Sequence, residues 1–137
     1  MRMLRWDDSL ETGIKIIDDQ HKAIITKANK ILKMDANTDK SELSEIISFL
    51  MSYTNNHFLE EERLMIESNY DKFIEHRQEH NLFVEEIYRI YLRINNNEID
   101  TKIFDDLKNI MVNWLERHLH DADRDFATHI NKAKKDK

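Results

Sequence analysis

Apolar residues recur along this chain at alternating three- and four-residue steps, the spacing of helices that bury one stripe. The first run is Ile17, His21, Ile24, Ala28, Ile31, and the second is Leu43, Ile47, Leu50, Thr54, His57, Glu61, Leu64. A third reads Phe73, His76, His80, Phe83, Ile87, Ile90, Ile94, and a fourth Phe104, Leu107, Met111, Trp114, His118. The pattern predicts helices over about Asp18 to Met34, Ser41 to Glu67, Asp71 to Ile94 and Asp100 to Leu119, with boundaries good to about two to four residues. Asp39 or Ser41, Asn69 or Asp71, and Asp100 or Thr101 supply capping oxygens for the second, third and fourth of these. Asn95, Asn96 and Asn97 form a loop, and short connections place successive helices antiparallel. The expected fold is all-α: an up-down-up-down four-helix bundle. Residues 1 to 17, anchored by Trp6, form an N-terminal arm over it, and Ala122 to Lys134 form a short C-terminal helix.

The seams are not uniformly apolar. Five of the seven histidines, and Glu61, stand where core residues belong. A buried imidazole or carboxylate without a partner costs a few kcal/mol, more than a small domain can carry six times over. A metal is the economical partner. Imidazole nitrogen and carboxylate oxygen suit iron, zinc, copper or manganese, and facing bundle helices converge such ligands on one point. His57 and Glu61 are four residues apart, as are His76 and His80, so each pair shares a helix face. Glu60 and Glu62 flank the seam and are expected as surface charge. His120, about 200° around an ideal helix from His118, is expected in solvent, and His129 lies near the chain's end.

Composition narrows the chemistry further. The 137 residues are expected to make one domain spanning 1–137, with no proline and a single glycine, Gly13. Having no cysteine, the chain has no disulfide, thiolate zinc site or cysteine-held iron-sulfur cluster. No run approaches the roughly 20 apolar residues that cross a bilayer, so a soluble cytoplasmic protein without membrane association is expected. A net charge of -6 argues against nucleic acid as a partner, and the cluster Lys132, Lys134, Lys135, Lys137 reads as a solvated end.

Trp6 to Gly13, Asp18-Asp19-Gln20-His21, His57-Phe58 followed by Glu61-Glu62, His76 with His80, and Trp114-Leu115 leading to His118 together resemble the bacteriohemerythrins of the hemerythrin family, non-heme di-iron oxygen-binding proteins. The resemblance covers nearly the whole chain. It implies that His76, His80 and His118 hold one iron, that His21 and His57 hold the other, and that Glu61 and a late aspartate bridge them with an oxo or hydroxo group. Five imidazoles, two bridging carboxylates and the bridge leave one octahedral position open, on the iron with two histidines. By similarity, O2 binds there as hydroperoxide. Phe58, Trp114, Leu115 and Leu119 resemble the apolar lining of the oxygen pocket, and relatives of bacterial type are commonly single chains.

Which aspartate bridges is contested between spacing and family. On an ideal helix Asp121 lies about 60° from His118 and Asp123 about 140° away, so spacing favours Asp121. The family motif places its aspartate five residues on, which selects Asp123 and predicts a helix widened or interrupted between His118 and Asp123. Two departures from the family stand out. Phe126 replaces a tyrosine common near the bridging aspartate, and Asp71 replaces a proline that follows an aromatic.

Competing classes fit less well. His76-Arg77-Gln78-Glu79-His80 matches the HxxEH zinc peptidase signature, but Glu79 is expected to face away from the two histidines as a surface residue, and the motif ignores the other three. Ferritin-like oxidases place glutamate three residues before histidine, whereas Thr54, Phe73, Arg77 and Leu115 occupy those positions here. Peroxidase or nitric-oxide chemistry in the same bundle is the alternative that the ligand set does not forbid.

Overall fold

Gly13 sets where the first helix begins. Its φ of +82° is the left-handed region, and a Cβ there would lie 3.1 Å from the Asn131 amide oxygen, so only glycine fits without strain. From the next residue the backbone winds into α1 (Lys15–Leu32), three residues earlier than the spacing predicts. Asp18 therefore does not open the helix. Buried in its first turn, it accepts bonds from the Thr12 amide (2.9 Å) and hydroxyl (2.8 Å) and pins the arm instead.

The structure is a computed structural model describing residues 3–135, with backbone only for 133–135. Met1, Arg2 and Lys137 lie outside the described residues, as do the side chains of Lys134 and Lys135. A 3-10 turn (Asp8–Leu10) in the arm precedes α1; then come α2 (Lys40–Glu67), α3 (Phe73–Asn95), α4 (Thr101–Asn109), a π-helical segment (Ile110–Leu115), α5 (Glu116–His120) and α6 (Ala122–Lys135). The four expected long helices are all present, the fourth built of three pieces. α1 packs on α2 and α4, and α3 packs on α2, α4 and the π segment, closing a four-helix bundle. Among the described residues no helix is long and apolar enough to cross a membrane.

The helix ends differ from expectation in an instructive way. Asn69 does not cap α3; it ends α2 at φ +58°, with its amide bonded to the Ile66 carbonyl and that of Tyr70 bonded to the Met65 carbonyl. Asn97, at φ +61°, does the same for α3, with Ile94 and Arg93 as acceptors. Both are Schellman ends, for which asparagine is the usual substitute for glycine. Asp39 precedes α2 and Lys72 precedes α3 without a side-chain capping bond, whereas Asp100 does cap α4, accepting from the Ile103 amide at 3.0 Å. The Schellman turn at Asn69 leaves little chain before α3, which starts without a capping side chain, whereas after the turn at Asn97 the Asp100 carboxylate still caps α4.

The arm is anchored by Leu4 and Leu10, both buried, rather than chiefly by Trp6, which is half-buried with the Lys22 ammonium 4.9 Å from its ring centre. Asn29 bonds both the amide and the carbonyl of Leu4. At its other end the arm grips α6, where Asn131 donates to the Thr12 carbonyl and Arg124 to that of Glu11. The apolar interior falls into two clusters. A large one runs through Ile24, Leu50, Phe83, Ile87, Leu107 and Met111, and a small one comprises Met65, Tyr70, Phe126 and Ile130. Along every long helix the inward histidines lie between the two.

Candidate metal centre

Five imidazoles and two carboxylates fill that dividing layer. His21, His57, Glu61, His76, His80, His118 and Asp123 are each at most 2% exposed. α1 supplies the first, α2 the next two, α3 two more, α5 His118 and α6 Asp123. The helical spacing of each pair accounts for the placement of all but the last.

Asp123 reaches the layer because the helix is interrupted. Asp121 stands between α5 and α6 with φ -102° and ψ -71°, and the five residues from His118 to Asp123 thus return to the same face. Asp121 itself is exposed. The expected break lies where expected, but a second irregularity was not foreseen. In the π segment Ile110, Met111 and Leu115 are the buried residues, so the inward stripe passes through Leu115 and leaves Trp114 half-buried. A single wide π turn leaves no signature in a spacing of three and four.

The donor atoms form two sets that share Glu61. One is Glu61, His76, His80, His118 and Asp123; the other is His21, His57 and Glu61; within each set the donor atoms all lie within 4.8 Å of one another. Asp123 spans both, with Oδ1 at 2.9 Å from His76 Nε2 and 3.1 Å from His118 Nε2, and Oδ2 at 3.1 Å from His21 Nε2. Glu61 does likewise: Oε1 lies 3.2 Å from His57 Nε2 and 3.4 Å from His80 Nε2, and Oε2 lies 3.7 Å from His21 Nε2.

These close approaches are not hydrogen bonds. Among the described residues, both oxygens of Glu61, both of Asp123 and both nitrogens of His21 are buried with no hydrogen-bond partner. His118 Nε2 also sits 3.1 Å from His76 Nε2 and 3.2 Å from His80 Nε2. Like lone pairs at that range repel unless a cation lies among them, and orphaned buried carboxylates are costly. The residues present fit a pair of metal ions with nitrogen and oxygen ligands.

Electrostatics point the same way. Burial and the charge of Asp123 push the Glu61 carboxyl up, yet the facing histidines overcome both and bring it down to about 2. Burial opposes ionisation of Asp123 too, but His118 and His21 hold it well below the carboxylate range. Burial disfavours the His118 cation, but Asp123 outweighs it and lifts the imidazole to about 10. The cluster is thus built for positive charge, supplied by protons or by metal.

The outer nitrogens of three imidazoles have partners that the spacing argument missed. His57 Nδ1 donates to Gln20 Oε1 at 2.6 Å, His80 Nδ1 to Glu62 Oε2 at 3.0 Å, and His118 Nδ1 to Glu79 Oε1 at 3.2 Å. Glu62 is therefore not plain surface charge, since its side chain is only 14% exposed. Nor does Glu79 face idle solvent, although it avoids the inner faces of His76 and His80. Both sit beside a ligand in sequence, Glu62 after Glu61 and Glu79 before His80, and such flanking positions look across to the next helix. Glu60, by contrast, is paired with Arg63 on the outside of α2. His120 is exposed, and His129 donates to the Ser68 carbonyl at 2.8 Å, away from the cluster.

The aromatic residues expected to line an oxygen pocket stack on the imidazoles. Phe58 lies parallel to His80 at 3.9 Å between ring centres, and Trp114 parallel to His118 at 4.6 Å. Leu115 and Leu119 are buried in the large apolar cluster with Phe58. Phe126 is 6.3 Å from His76 and packs on Tyr70, whose buried hydroxyl is pushed up to about 12 by burial and by Asp125. Asp71 is an exposed turn residue between α2 and α3.

The family profile described as the hemerythrin HHE cation binding domain matches residues 12–130. A bacteriohemerythrin of Stenotrophomonas maltophilia is 31% identical over 130 residues, 95% of this chain and 83% of its own. One of Clostridium acetobutylicum is 30% identical, covering 90% of this chain and 98% of its own. A hemerythrin of Themiste dyscrita is 30% identical over 86% of each chain. The crystal structure of a wild-type hemerythrin superimposes with a TM-score of 0.78 at 24% identity, covering 93% of this chain and 97% of that one.

Proposed function

The chain belongs to the hemerythrin family, and from that membership we propose that it binds O2 reversibly, as a carrier, store or sensor, at two iron ions. His76, His80, His118, Glu61 and Asp123 would hold one iron, and His21 and His57 would hold the other with the same two carboxylates. The observation that carries this reading is the sharing: Glu61 and Asp123 each direct oxygens toward imidazoles of both sets while making no hydrogen bond. When bound, such an iron pair, joined by an oxo or hydroxo group, supplies the two electrons that dioxygen borrows and returns.

The chain's own residues do the rest. His57, His80 and His118 donate Nδ1 protons outward, which fixes the tautomer that presents Nε2 to the metal. Phe58 and Trp114, stacked on His80 and His118, hold those rings in plane, and with Leu115 and Leu119 they form an apolar wall. That wall excludes water and small anions that would otherwise compete with a diatomic ligand. The histidine-rich donor set favours binding over turnover.

Iron analysis combined with an optical spectrum of the reduced chain before and after air tests the proposal. The expected result is two irons per chain, with charge-transfer bands that appear in air and vanish on deoxygenation. A chain holding fewer than two irons, or one that consumes O2 steadily and releases a product, overturns it.

A further inference from the structure

The two halves of the cluster are backed unequally. On the three-histidine side, His80 donates to Glu62 and His118 to Glu79, both carboxylates. On the two-histidine side, His57 donates to the neutral amide of Gln20, and His21 Nδ1 is buried without a partner. A carboxylate drawing on the Nδ1 proton leaves more electron density on Nε2 and strengthens its bond to a cation, whereas an amide oxygen does so weakly. The two outer carboxylates also differ. Glu62 is 14% exposed and sits 3.8 Å from the Arg77 guanidinium, which steadies it, while Glu79 is 44% exposed and more screened by water.

We infer that Glu62, and to a lesser degree Glu79, are positioning residues that make the three-histidine end the tighter metal position, so that the chain fills its two positions in order, with that end first. This rests on the reading that two metals occupy the cluster. The ordering matters because Glu61 and Asp123 are shared: a first metal drawn to the backed histidines orients both carboxylates for the second. Gln20 and the orphaned His21 keep the other position weaker and its metal more readily exchanged.

Calorimetric titration of the metal-free full chain with Co2+ under argon tests this. Two steps are expected. Glu62→Gln weakens the tighter step by about 10- to 100-fold and Glu79→Gln by less, each leaving the weaker step in place. Gln20→Glu tightens the weaker step and narrows the gap, a gain that loss of fold cannot mimic. In the Zn2+-loaded chain the downfield Nδ1 proton of His80 moves upfield in Glu62→Gln, and that of His118 does so in Glu79→Gln. Circular dichroism confirms that each variant keeps its helices. The inference is overturned if Glu62→Gln leaves both steps unmoved or weakens both alike, or if Gln20→Glu fails to tighten the second. Should the unaltered chain take up no Co2+ at all, the iron-pair reading falls with it; two metals bound without order overturn this inference alone.

Discussion

At Asp123, five positions beyond His118, a regular helix would place the carboxylate on the wrong face, and the break at Asp121 corrects it. Asp123→Asn is therefore expected to lower metal content sharply, because it removes an anion that faces both histidine sets, whereas Asp121→Asn, on an exposed residue, leaves it unchanged. Iron per chain after ferrous loading distinguishes the two. His118→Ala should also lose iron, since its Nε2 lies within 3.2 Å of two other imidazole nitrogens and of Asp123. Residues whose spacing follows a helical face were legible in the sequence: His21, His57, Glu61, His76, His80 and His118 all stand where the seam places them. Asp123 was reachable only through the resemblance, because local backbone geometry overrides periodicity there. Gln20, Glu62 and Glu79 were missed because they are polar residues in polar positions, and only the neighbouring helix gives them a task.

Among the elements, four long helices were readable because each sustains a buried stripe over many turns. Their ends were harder. Asparagine serves at both helix starts and left-handed helix ends, and at Asn69 and Asn97 the second use wins. Because Asn69 is exposed, its replacement should act through the backbone alone. Asn69→Ala is expected to cost about 1 kcal/mol by urea unfolding, because alanine lacks the short polar side chain that eases asparagine into the left-handed region, and Asn69→Gly, which removes the Cβ, to cost little or to stabilise. Equal effects of the two would show that the turn is held by something other than its dihedral. The π segment escaped sequence reading for the reason that a single extra residue leaves no compositional mark.

For the whole molecule, a charged layer between two apolar clusters makes stability depend on pH and on metal. Without metal, Glu61 and Asp123 have folded values below their ordinary ones near 4, so their contribution is present above that range and is lost as pH falls below it, for Glu61 toward about 2. His118 is lifted by Asp123 against burial, so its contribution is complete below about 6.5 and is lost as pH rises through about 10. The metal-free chain is thus expected to be most stable between about pH 4.5 and 6.5, and urea midpoints measured from acid to alkaline solution should peak there. Metal uptake must displace the His118 proton, so affinity should climb with pH over the range in which the metal-free fold weakens. A metal-free stability curve flat from neutral to alkaline pH would show that the imidazolium is not part of the fold.

The π-helical winding from Ile110 to Leu115 also bears on how the gene can change. Within an ordinary helix, losing one codon turns everything downstream by about 100° and would carry a ligand out of the layer. In this stretch the chain already holds one residue more than an α-helix needs, so losing Asn113, exposed at its middle, would leave Leu115 and His118 in phase with α4. Close relatives can accordingly differ in length by one here while keeping the same ligands, a tolerance denied to the turn between His57 and Glu61.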